Sequence, residues 1–205
     1  MPQPSKAGKL KPQPPRFTPH ARRRVREYLT QSEVESLIDA ARHVGRHPTR
    51  DATLLLVMYR HALRVSEAVS LQWSQIDFAS ARLHVSRLKH GLPSVHPLAG
   101  NELRALRALH RAGSGEGFVF MSERGAPLTP ATVRDIVARA GDLSGLAALG
   151  LPCHPHMLRH ACGYALANRG HDTRAIQAYL GHKNITHTVR YTELSPERFK
   201  DFWRE

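Results

Sequence analysis

The sequence predicts a mainly α-helical fold carrying one small antiparallel β-sheet. Three observations point there. Apolar residues recur at helical spacing through most of the chain after residue 28. One stretch breaks that rhythm: "RLHVSRL" (82–88) alternates, "KHGLP" (89–93) reads as a turn, and "SVHPL" (94–98) returns, which is the pattern of a hairpin. Helix punctuation also falls at regular places, with Thr30, Thr129-Pro130 and Gly181 at the expected starts and stops.

Taken in order, "TQSE" places Thr30 three residues before Glu33, a capping box, and Val34, Leu37, Ile38 and Ala41 follow on one helix face. "TLLLVMYRHAL" (53–63) is apolar nearly all round and predicts a buried helix. Ser66 is expected to cap a short helix reaching Leu71. Leu103, Leu106 and Leu109 mark a helix after the hairpin. Thr129-Pro130 opens another, carried by Val133, Ile136, Val137 and Ala140 to a stop at Gly141. "GLAALGLPCHP" is a loop. Helices then follow over about 156–169, 173–180 and 186–191, and Ser195-Pro196 opens a last one over 195–205 bearing Phe199, Phe202 and Trp203.

Residues 1–28 differ in kind. They are rich in Pro and basic residues, with eight Lys or Arg against one Glu, and hold too little apolar surface to fold alone. A disordered basic tail is expected, in which Arg22, Arg23, Arg24 and Arg26 can lie along phosphates. The whole chain of 205 residues carries 30 Lys and Arg against 17 Asp and Glu, a net charge of +13. Such a field draws polyanions, nucleic acid first among them. Two cysteines, no secretory leader pattern and no run long enough to cross a bilayer predict a cytoplasmic protein without membrane association.

Four islands carry chemistry. In "HPHMLRHACG" (154–163), helical periodicity gathers His156, Arg159, His160 and Gly163 on one arc, opposite Met157, Leu158, Ala161 and Cys162. The helix is expected to pack on one side and to offer a phosphate-matching fork and titratable rings on the other. His156 and His160 stand i, i+4, but no Glu follows the first, and Arg159 would repel a cation, so no metal is expected. In "LGHKNITHTVRYTEL", His182 follows a helix-ending glycine and Tyr191 lies nine residues on. Tyr191 alone of the five tyrosines stands in a polar stretch behind a histidine. In "ALRVSEAVSL", Arg64 occupies a turn between apolar segments, where a charge is costly unless paired or aimed at a ligand, and Glu67 can orient it. Lys89 stands at the hairpin tip. Each island also has a bland reading: a solvated helix face, a half-buried tyrosine, a structural ion pair, an exposed lysine. "GSGEG" (113–117) lacks a following Lys-Ser/Thr and is a loop, so no nucleotide and no other cofactor is expected.

In this order the islands resemble the tyrosine site-specific recombinases of the phage integrase family, most of all the recombinases that invert the promoter element of type 1 fimbriae. "HPHMLRHACGYALANRG", "YLGHKNITHTVRYT" and "RLKHGLPSVHPL" carry the likeness, which spans Leu29 to Tyr191. The resemblance implies the integrase catalytic-domain fold over 29–205, without the usual N-terminal core-binding domain. It implies Tyr191 as the nucleophile that forms a 3′-phosphotyrosine, Arg64 and Arg159 on the non-bridging oxygens, Lys89 as the acid for the leaving 5′-oxygen, His156 as proton acceptor and His182 at the transition state. Glu67 and His160 take supporting places. Ala62 stands where many members have Gly. The implied partner is double-stranded DNA with short inverted repeats, engaged by a monomer in solution that becomes a tetramer on two sites, in the bacterial nucleoid. Integration or excision, a type IB topoisomerase, a regulator that has lost catalysis and a zinc module are the alternatives.

Overall fold

The structure, a computed structural model, describes residues 26–87, 91–113, 116–193 and 199. The tail through residue 25 (with Arg22, Arg23 and Arg24), the hairpin tip with Lys89, and Phe202 and Trp203 of the expected last helix lie outside the described residues. Phe199 is described and is half exposed.

The described elements are α1 (Gln31–Ala41), α2 (Pro48–Arg60), α3 (Val65–Val69), β1 (Ile76–Asp77), β2 (Arg82–Val85), β3 (Ser94–Pro97), α4 (Gly100–Ala112), α5 (Pro130–Leu143), α6 (Pro155–Asn168), α7 (Thr173–Leu180) and α8 (Thr186–Glu193). The three strands form one antiparallel sheet in the order β1-β2-β3, with Leu83 opposite both Ile76 and His96. Strand alternation works as expected: Leu83 and Val85 are buried while Arg82 and His84 face solvent. β1, two residues long, is too short to leave a periodic trace in sequence.

The core follows the apolar run of α2, whose residues from Asp51 to Tyr59 are all buried. α2 needs cover on every side and gets it from α1, α4 and α6. α5 closes the other face of α1. Each fully buried leucine in this layer, such as Leu37, Leu54, Leu55 or Leu158, contributes roughly 2 kcal/mol of transfer free energy. The expected capping box of α1 is present: Thr30 Oγ1 accepts from Glu33 N–H, and Glu33 accepts from Thr30 N–H at 2.8 Å. Arg26, expected to be free for phosphates, is instead ion-paired to that same Glu33.

Several boundaries differ from expectation: α2 spans Pro48–Arg60 instead of 53–63, opening at a proline in its first turn, and α3 stops at Val69, short of Leu71. α3 begins at Val65, not after Ser66, because Glu67 reaches back to accept the N–H of Arg64 at 2.9 Å and makes Arg64 the capping position. α5 runs through Gly141 to Leu143. Gly141 is a packing glycine and not a stop: a Cβ there would lie 2.7 Å from Cys153 Cβ. α8 extends past residue 191 to Glu193.

The end of α2 matters most for the site. Leu63 N–H bonds back to Met58 C=O at 3.0 Å, and Ala62 N–H to Tyr59 C=O at 3.3 Å, a left-handed closing turn that usually takes glycine. Here fully buried Ala62 holds φ +51°. The turn aims the Ala62 carbonyl inward, where it is used below. An alanine in this region stores about 1 kcal/mol of strain, offset by its buried methyl group. Ala62→Gly is therefore expected to stay within about 1 kcal/mol of the parent in urea unfolding. Ala62→Val, β-branched and overpacked at positive φ, is expected to lose roughly 2–4 kcal/mol.

Candidate active site

Arg64 and Glu67 are brought together by one helical turn. Arg64 NH1 donates to Glu67 Oε1 at 2.7 Å, while the outer part of Arg64 remains in contact with solvent. Glu67 Oε2 also accepts from Arg87 NH1 at 3.0 Å. Burial alone would raise the Glu67 carboxyl; the bond from Arg64 N–H and the charges of Arg87 and Arg64 outweigh it and hold the group below the usual carboxylate range. Glu67 thus stays ionised and keeps Arg64 pointed out of the turn.

The face of α6 that was expected to be open is covered. Arg159 is 1% exposed, His160 and Gly163 are buried, and only His156 of that arc reaches solvent. The reason is α8, which packs along α6 and lays the Tyr191 ring on Gly163; a Cβ at Gly163 would lie 2.9 Å from three atoms of that ring. Arg159 extends under the layer and donates from NH1 to the Ala62 carbonyl at 2.5 Å and from NH2 to the Leu180 carbonyl at 2.7 Å. Burial, with Arg64 and Arg87 nearby, lowers its guanidinium to about 10, so it remains cationic at neutral pH.

Tyr191 is 1% exposed. Its hydroxyl lies 2.8 Å from His160 Nδ1, so the ring that meets the phenol here is His160; His156, expected at that place, packs edge-on against His160 with ring centres 4.4 Å apart. The Arg190 guanidinium lies against the same imidazole, 2.7 Å from Nδ1 and 2.8 Å from Nε2, and 5.3 Å from the Tyr191 ring centre. Burial, then the neighbouring His156 and Arg190, lower His160 to about 3. It is neutral at pH 7, and a neutral ring can accept the phenolic proton at Nδ1. Burial raises the phenol itself, although the Arg190 and Arg159 charges pull it back.

Beside this layer opens a hollow of about 630 Å³, lined among others by Arg64, Arg174, Gln177, His182, Lys183 and His187. His182 bridges the two regions. Its Nδ1 lies 2.9 Å from Thr188 Oγ1, and its ring lies nearly parallel to that of Tyr191 with centres 6.4 Å apart. Burial, then Arg159 and Arg64, lower His182 to about 3. Three permanent cations around a concave wall make a place for an anion. Among the described residues no group of three His, Cys, Asp or Glu could hold a metal ion.

Of the residues singled out from sequence, Arg64 and His182 therefore line the hollow, Arg159 lies beneath it, and Tyr191 and His160 form the adjoining layer. Lys89 is outside the described residues. Four participants went unnoticed. Arg174 and Lys183 look like ordinary surface cations in sequence; Arg190 reads as one more basic residue of a polar helix. Arg87 falls on the same parity as buried Leu83 and Val85, so the strand alternation does point it inward, where a lone arginine is easily passed over. No sequence signal separates Arg174, Lys183 or Arg190 from its neighbours.

Comparison with known proteins places these features. The family described as "Phage integrase family" matches residues 27–198. The chain is 42% identical over 184 residues to the type 1 fimbriae regulatory protein FimE of Escherichia coli (strain K12), covering 87% of this chain and 91% of that protein. It is 44% identical over 184 residues to FimB of the same organism, covering 87% and 90%. Among solved structures, the XerH site-specific recombinase bound to difH substrate in a pre-cleavage complex superposes with a TM-score of 0.72 at 19% identity. That match takes in 87% of this chain but only 54% of the XerH chain.

The lowered histidines make stability depend on pH. His160, His182 and the buried His96 (lowered to about 3 by burial, with His61 and Arg87 adding) stay neutral in the folded state, while the unfolded chain binds protons below about 6.5. Stability is then full above pH 6.5 and is lost as pH falls toward 3, by roughly 1 kcal/mol per group at pH 5.5. Urea unfolding at pH 7.5 and 5.5 is expected to show the drop, and His160→Asn/His182→Asn to shrink it.

Proposed function

The chain belongs to the phage integrase family, and on that premise we propose that it is a site-specific DNA recombinase working through a 3′-phosphotyrosine. The observation that carries the reading is the pairing of a cation-lined hollow with a buried phenol next to a neutral imidazole.

The chemistry follows from those groups. A DNA phosphodiester enters the hollow, with its non-bridging oxygens toward Arg64 and Arg159. The Tyr191 oxygen attacks phosphorus as its proton passes to a neutral histidine, His160 in the arrangement described or His156 once α8 has shifted. The bond to the 5′-oxygen breaks, and Lys89 supplies the proton that makes it a hydroxyl. Charge spreading over the phosphoryl oxygens is met by the fixed guanidiniums, with His182 donating from Nε2 in the tautomer whose Nδ1 accepts the Thr188 hydroxyl. One phosphodiester is exchanged for another, so rejoining by the reverse attack needs no nucleotide. Tyr191 has to leave its place on Gly163 before it can reach the hollow, which makes the described arrangement a resting one.

FimE and FimB match over 87% of the chain, and their names tie them to type 1 fimbriae. The proposal extends to inversion of a DNA segment between short inverted repeats, by four copies on two sites in the bacterial cytoplasm. No helix among the described residues is long and apolar enough to cross a membrane. Arg174 and Lys183 would serve the phosphates flanking the scissile one.

A nicked suicide substrate bearing the repeats tests the chemistry. The parent chain is expected to form an adduct that survives denaturation, and Tyr191→Phe none; a parent chain that forms no adduct on any repeat would overturn the reading. Arg64→Ala and Arg159→Ala are expected to slow the adduct about 10²- to 10³-fold. Arg174→Gln and Lys183→Gln act otherwise: each is expected to reduce the slope of log K against log salt by about 0.9, as measured by fluorescence anisotropy.

A further inference from the structure

Arg87 has no part in the chemistry above, yet its surroundings are tightly constrained. Its guanidinium is buried, with no side-chain surface exposed. NH1 donates to the Ala62 carbonyl at 3.2 Å and to Glu67 Oε2 at 3.0 Å; NH2 donates to the His61 carbonyl at 3.1 Å and the Tyr179 carbonyl at 2.6 Å. The stem is gripped from both sides. A Cβ at Gly91 would lie 2.6 Å from Arg87 Cβ, and one at Gly181 2.8 Å from Arg87 Cγ, so both positions need glycine.

The partners lead to the site. Ala62 also receives Arg159 NH1, so two guanidiniums share one carbonyl. Glu67 orients Arg64. Tyr179 and Gly181 belong to the end of α7, and Gly181 immediately precedes His182. Arg87 and Gly91 flank the hairpin segment that contains Lys89. A buried guanidinium with four acceptors cannot itself reach a phosphate. A charge in such a place is expensive to bury, and replacing it with apolar packing would often be no loss for stability alone. Its value must lie in geometry.

We infer that Arg87 is a positioning residue: one buried guanidinium that sets the end of α2, the start of α3, the end of α7 and the base of the hairpin relative to each other, and so holds Arg64, Arg159 and His182 in register around one phosphate. This rests on the recombinase reading and adds a residue to it. A displacement of about 1 Å among such groups costs on the order of 10²-fold in rate. Lysine at this position offers one point charge and cannot serve four acceptors in a plane.

The full-length chain and the nicked substrate test it, with three readouts on Arg87→Lys and Arg87→Gln: the melting temperature, the Kd for an uncleavable duplex, and the single-turnover rate of adduct formation at saturating DNA, well below the melting temperature. The expected result is a folded protein, a Kd within about threefold of the parent, and an adduct rate reduced about 10²-fold. A lowered melting temperature with an unchanged rate would overturn the inference in favour of a purely structural arginine. A rate restored by saturating DNA, with the whole defect in Kd, would overturn it in favour of a binding residue. Glu67→Gln is the second arm should both variants fail to fold: it keeps side-chain shape and removes the charge that joins Arg87 to Arg64. It is expected to show the same split between rate and Kd, and a parental rate in Glu67→Gln would sink the proposal. Failure of the parent chain to form any Tyr191-dependent adduct speaks against the recombinase reading instead.

Discussion

Two buried guanidiniums meeting on one carbonyl oxygen are the constraint from which the rest of the site follows. Arg87 and Arg159 come from distant parts of the chain, and both donate to Ala62. Like charges so close repel, and each has been taken out of water. The arrangement is held by the acceptors around it, the backbone carbonyls of His61, Tyr179 and Leu180 and the carboxylate of Glu67, with Arg87 Nε alone of its nitrogens left without a partner among the described residues. Carbonyls at helix ends are natural recipients, since those of the last turn have no partner within the helix. The ends of α2 and α7 therefore act as sockets, and the arginines as pins joining them.

A platform of buried cations on one side is matched by the short helix α8 on the other. α8 spans eight residues and rests on α6 chiefly through Tyr191 over Gly163 and the Tyr191–His160 bond. The platform holds its cations in place before any substrate arrives, which is what electrostatic stabilisation of phosphoryl transfer demands. The phenol, by contrast, is stored away from water and from the hollow, with its pKa raised by burial and a neutral imidazole beside it. In the proposed recombinase reading, this division would keep the Tyr191 phenol unreactive without weakening the cations around the hollow.

The same division shows in what sequence reading found. Residues that announce themselves do so by standing in unusual company: Arg64 between apolar segments, two histidines and an arginine inside an apolar helix, a histidine after a glycine stop, a tyrosine in a polar stretch. The helices and the hairpin were legible because one face of each is buried and the period of 3.6 or 2 survives in the text. Gly141 was misread as a terminus, since a glycine that admits a neighbour's Cβ and a glycine that ends a helix look alike until Cys153 is placed beside it. The arc of α6 was read as open for a related reason: periodicity shows that a face differs from its opposite, not that water lies over it.

By itself, then, the sequence determined the fold class, the family and the residue types able to handle a phosphodiester, because these depend on local periodicity and on short runs of chemistry. Tertiary structure alone decided that Arg159 is anchored to Ala62 and Leu180, that His160 rather than His156 meets the phenol, that Tyr191 is stored on Gly163, and that Arg87 ties the ends of two helices together. Each of these is a contact between segments far apart in the chain. A side chain carries no local mark of the carbonyl it will reach once the helices have packed.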